Sequence, residues 1–97
     1  MNEALNEIIV ILEQVRDILQ APGTDILWSA YDTAEEVIQD IDNHIESLKN
    51  NDLSNQVGLC ILFAPTGPLQ EISLQSGWGE TFLSLASQFD LALERIN

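Results

Sequence analysis

The sequence predicts a mainly α fold: a compact bundle of three or four helices, with a short extended or β segment near residues 71–75. Three observations predict it. Apolar residues recur at alternating spacings of three and four in separate stretches, the mark of one-sided helices. Turn-forming clusters (Ala21-Pro22-Gly23, Asn50-Asn51-Asp52, Ala64 to Pro68, Ser76 to Gly79) separate those stretches. Apolar residues make up 45% of the chain, enough to fold despite a formal charge of -13. At 97 residues the chain suits one domain, 1–97, with one core.

The first helix is expected over residues 2–20, with Leu5, Ile8, Leu12, Val15 and Leu19 on one face. Ile9, Ile11 and Ile18 widen that face, and Ile8 to Leu12 is apolar all round. Such a helix is sandwiched, either centrally in its own fold or at a subunit contact. A strand competes, since most of that run is β-branched, but the flanks NEALNE and EQVRDILQ are good helix formers. Residues 24–31 read as a helical turn or irregular segment burying Trp28 and Tyr31. Thr33 and Glu36 then have capping-box spacing. Behind them Ala34, Val37, Ile38, Ile41, Ile45 and Leu48 trace a second helix.

Residues 53–64 leave two readings open. Leu53, Val57, Cys60, Ile61 and Ala64 fit a helix capped by Asp52, while Val57, Leu59, Ile61 and Phe63 fit a strand. The LSNQ entry and the stop at Pro65 favour helix. Glu71-Ile72-Ser73-Leu74-Gln75 alternates polar and apolar, hence the extended segment. The last helix runs from about Glu80 to Ile96, with Phe82, Leu85, Ala86, Phe89, Ala92, Leu93 and Ile96 inward.

Charge is the chain's strongest functional signal. Sixteen acids face three bases, and residues 1–52 hold twelve of the acids and two of the bases. Three scattered cations cannot drive counterion release, so nucleic acid is excluded as a direct partner. No apolar run approaches the roughly 20 residues that a membrane-spanning helix needs, so no membrane partner is expected. The start, MNEALNEI, lacks the positive region of a secretory signal, and one cysteine suits a reducing compartment, so the expected location is cytoplasmic.

Few residues could carry chemistry, and no cofactor is expected. One His and one Cys fall short of the ligand count of a structural zinc site. Asp40-Ile-Asp42-Asn43-His44-Ile-Glu46 spaces its carboxylates like a calcium loop but lacks the glycine at the sixth position, and it lies within the second helix. His44 and Cys60 are the only nucleophile–base candidates; His44 reads as a boundary residue and Cys60 as an inert core residue. The acids Glu35, Glu36, Asp40, Asp42 and Glu46 read as a solvated face or as a docking surface for basic residues. Trp78, between two glycines, reads with Leu69 and Ile72 as a plug across the end of the bundle, or as an aromatic anchor of a binding surface.

The stretch LFAPTGPLQEISL, followed by GWG and an F-L-x-L-A helix, resembles small bacterial proteins of unknown function. That resemblance implies a helical fold and no activity. In size and acidity the chain is also similar to bacterial immunity proteins, which cover the basic active sites of toxin nucleases. The expected function is therefore a non-enzymatic acidic interaction module for a basic protein partner, with an immunity- or antitoxin-like inhibitor as one form of it. Two alternatives stand beside it. One is a homodimer assembled through residues 8–12 or 57–64; the other, weaker, is an enzyme that uses carboxylates.

Overall fold

The broad apolar face of the first helix is explained by where that helix sits. In the computed structural model, which describes residues 3–20, 34–52, 54, 56–64 and 67–96, α1 (Glu3–Leu19) packs against α2 (Ala34–Lys49) and α5 (Gly79–Ile96). One helix contacted by two others needs more than one stripe. Ile8, Ile9, Ile11 and Leu12 are all buried, and Val10 is the one residue of that run left exposed. The central option is the one realised, and it takes up most of the 8–12 surface that could have formed a subunit contact.

The order of packing is α2 on α1, α1 on α5, α5 on α4 (Pro68–Ser76), and α4 on α3 (Gln56–Leu62). All five helices of the described residues contribute to one apolar cluster, which includes Leu12, Val15, Ile41, Leu69, Ile72, Phe82 and Phe89. Fully burying an Ile, Leu or Phe side chain contributes about 1.5–3 kcal/mol. At one end Phe63 stacks on Phe89 with ring centroids 4.3 Å apart. The helix count is higher than expected, and residues 57–62 are helical. The segment 24–31 with Trp28 and Tyr31, the Thr33 end of the capping box, and Pro65 lie outside the described residues.

The extended segment expected near 71–75 is instead the middle of α4. The alternation of Ile72 with Leu74 misleads because the helix buries Leu69, Ile72 and Ser73, at i, i+3 and i+4, and leaves Leu74 in solvent. One member of the buried stripe is therefore a serine. It is tolerated because its hydroxyl donates to the Gln70 carbonyl at 2.8 Å. Pro68 begins the helix where a missing N–H has no consequence. Gly77, at φ 85°, ends it in the left-handed conformation. At the other end, Gly67 lies so close to α3 that a Cβ there would collide with the Ile61 carbonyl oxygen.

α2 closes by the same device in polar form. Asn51 adopts φ 56°, the Asp52 N–H donates to the Ser47 carbonyl at 2.8 Å, and the Asn51 N–H donates to the Leu48 carbonyl at 3.0 Å. Those two bonds form a Schellman closure, with asparagine where glycine is usual. Asp52 does not cap α3 directly. Its Oδ1 accepts from the Ser54 N–H at 2.9 Å, a local turn four residues ahead of the helix.

Candidate interaction surface

Two exposed faces stand out, and they differ in chemistry. The first is the outer side of α2. Val37, Ile41, His44, Ile45 and Leu48 point inward, so the helical period places the acids around the opposite side. Glu35, Asp42 and Glu46 run along one edge and Glu36 and Asp40 along the other. Gln39 and Asn43 form the crest between, joined by a 3.0 Å side-chain hydrogen bond. Glu35, Glu36, Asp40 and Glu46 are exposed.

Asp42 differs. Arg16 of α1 donates from Nε to its Oδ1 at 2.6 Å, both side chains being about two-thirds covered. This carboxylate therefore tethers α2 to α1 rather than facing a partner. Lys49 falls on the same edge, at the C-terminal end of α2 where a cation complements the helix dipole. The third base, Arg95, is bound at 2.8 Å to Glu7 on the other side of α1, and that pairing raises its pKa. Arg16 and Lys49 therefore both fall on the Glu35–Asp42–Glu46 edge rather than on the Glu36–Asp40 edge.

His44 lies in the core rather than at the boundary. Burial pushes its pKa below the ordinary 6.5, and nearby Asp40 only partly opposes that shift. Asp52 is held below the usual carboxylate range by hydrogen bonds from the Ser54 side chain and backbone.

The second face is the outer side of α3. Leu59 and Leu62 are buried, while Val57 is 72% exposed and Ile61 57% exposed. Cys60 lies beside them in solvent, which corrects its expected place in the core. An uncharged helix with apolar residues on both sides does not reveal which stripe faces inward, and packing on α4 decides it. Val57, Cys60, Ile61 and Ala64 border an open concavity of about 420 Å³. A neighbouring cleft of about 400 Å³ shares Cys60 and Ala64 and runs over Phe63, Phe82 and Leu83. Sequence reasoning recognised this run as a contact candidate without separating its inner stripe from its outer one.

Trp78 belongs to neither face. Its N–H donates to the Ser73 carbonyl at 2.9 Å and completes the end of α4, while its carbonyl accepts from Phe82 at 3.0 Å and opens α5. The half-buried ring packs edge-on against Phe82 at 6.5 Å. Leu69 and Ile72 are fully buried in the apolar cluster against which Trp78 packs. The indole N–H and the amide oxygens of Gln70 and Gln75 are buried without a hydrogen-bond partner.

Among the described residues no three His, Cys, Asp or Glu side chains come together as a metal would require. Acid–base work by paired carboxylates needs at least one in a desolvated cleft, and among the described residues no carboxylate is buried. No hydrogen bond joins His44 and Cys60, one in the core and the other in solvent. No described helix is long and apolar enough to cross a membrane.

Fold and surface together define a small, mainly helical protein whose described residues present an acidic face on α2 and an apolar face on α3. No family model, curated protein or solved structure matches the chain.

Proposed function

We propose that this chain is a non-enzymatic interaction module whose α2 face docks on a basic surface of another protein. The observation that carries the reading is the run of exposed carboxylates, Glu35, Glu36, Asp40 and Glu46, on the outer side of a helix anchored by Val37, Ile41 and Leu48. Charge so arranged steers encounter and selects against acidic partners more than it adds affinity. An inhibitor that covers a basic nucleic-acid groove, in the manner of an immunity protein or antitoxin, is one form of this function. Its place would be the cytoplasm, where such a partner is made.

Pull-down from lysate at low and high salt tests the reading. A partner should be retained at about 0.05 M salt and lost by about 0.5 M, where the screening length falls well below 10 Å. Glu36→Lys and Asp40→Lys should each weaken retention more than Glu46→Lys, because Lys49 already offsets the edge that Glu46 shares. Retention that ignores salt, or that survives both changes, overturns the proposal.

A further inference from the structure

We infer that the outer face of α3 is a homotypic docking surface, on which a second copy of this chain sits about a two-fold axis. Val57, Cys60 and Ile61 lie at i, i+3 and i+4 on one side of α3, and Ala64, two residues beyond its end, borders the same concavity. Three of the four are exposed, and the fourth is partly so. On α1, the comparable apolar run is covered by α2 and α5. On α3, which packs chiefly against α4, Val57, Cys60 and Ile61 stay exposed among the described residues.

Charge selects the occupant. From residue 53 to residue 70 the chain contains no Asp, Glu, Lys or Arg, the longest such stretch in the sequence. A basic partner has nothing to meet there. Two copies, each at -13, repel wherever their carboxylates face one another. The α3 stripe itself brings no charge to such a contact, and Asp90 is the one charged residue that lines the neighbouring cleft.

Area sets the strength. A seven-residue helix is only about 10 Å long, and even with Leu83, 60% exposed on the cleft wall, the contact falls short of the roughly 800 Å² per partner of a stable interface. The dimer is therefore weak, of micromolar class, and it leaves both α2 faces free. A dimer would then offer a basic target two acidic faces at once.

Sedimentation velocity of the full chain, from about 1 μM to about 1 mM, tests this at about 0.05 M and about 0.5 M salt. A monomer–dimer equilibrium is expected that shifts toward dimer as salt rises, the opposite of the response expected for a basic partner. The two readings can therefore fail separately. Val57→Asp and Ile61→Asp should each raise the dissociation constant about tenfold or more, with helical circular dichroism unchanged. A second readout needs no substitution: alkylation of Cys60 by iodoacetamide should slow as protein concentration rises through the dissociation constant. A monomer at every concentration in high salt overturns the inference. So does a dimer indifferent to both aspartates, or one in which Cys60 reacts at the monomer rate.

Discussion

α2 and α3 stand at opposite ends of the packing order, each resting chiefly on one of the described helices, and they resolve the problem of a half-buried helix in opposite ways. α2 has sixteen residues, buries Val37, Ile41, Ile45 and Leu48, and turns five acids to water or to Arg16. α3 has seven residues and no charge, buries Leu59 and Leu62, and leaves Val57 and Ile61 in solvent. On α2 every exposed position advertises itself by polarity, so the inner face follows from the outer. On α3 both faces are apolar, and only packing says which is which. The difference teaches that charge pattern locates a core and leaves an uncharged contact surface unmarked.

The sharpest way to break this comparison is to make one substitution on both helices. Ile41 is 0% exposed and Ile61 57% exposed. Ile41→Ala should cost about 2–5 kcal/mol in urea denaturation, through lost burial and a cavity. Ile61→Ala should change stability by no more than about 0.5 kcal/mol at low protein concentration. Equal costs would mean that α3 is packed otherwise than described.

The joint that holds α3 comes next. Gly67→Ala sets a Cβ against the backbone oxygen of Ile61, and backbone cannot rotate aside as a side chain can. A loss of about 1–3 kcal/mol is expected, with faster Cys60 alkylation as α3 separates from α4. A neutral result would break the claim that close approach at Gly67 positions the exposed stripe.

The closure of α2 tests the other side of the comparison more gently. Asn51 sits at φ 56°. Asn51→Ala should therefore cost about 1 kcal/mol, and Asn51→Gly should be neutral or slightly stabilising. Thermal denaturation of the two variants reads the difference directly. If alanine and glycine prove equivalent, the left-handed closure does not hold in solution.

The smallest expected effect concerns pH. The folded pKa of His44 is lowered by burial, so the unfolded chain binds the proton more tightly. Its contribution is fully present above the unfolded value near 6.5 and is lost as pH falls from there through the lowered folded value. Denaturation at neutral and mildly acidic pH should show wild type losing more stability than His44→Gln, with carboxylate protonation common to both. Equal losses would place the imidazole in water, outside the inner face of α2.

Much of this architecture was legible beforehand where amphipathicity was unambiguous. The stripe of α1 from Leu5 to Leu19, that of α2 from Val37 to Leu48, and the Phe82, Leu85, Phe89 and Ala92 face of α5 are buried as their spacing requires. α4 hides its helical period, because its period-two appearance rests on Leu74, which is exposed, while the residue that shares its buried stripe, Ser73, is polar. The acidic candidates were correctly placed on one helix, but nothing in their spacing revealed that Arg16, 26 residues away in sequence, would engage Asp42.

By itself the sequence determined the helical class, the inner faces of the long helices and the acidic character of α2, because a repeating local pattern suffices for each. The tertiary structure alone decided which isoleucines of α1 are covered, which stripe of α3 is exposed and which carboxylate is engaged by a cation. Those outcomes depend on neighbours distant in the chain, and local periodicity carries no information about what a helix will meet.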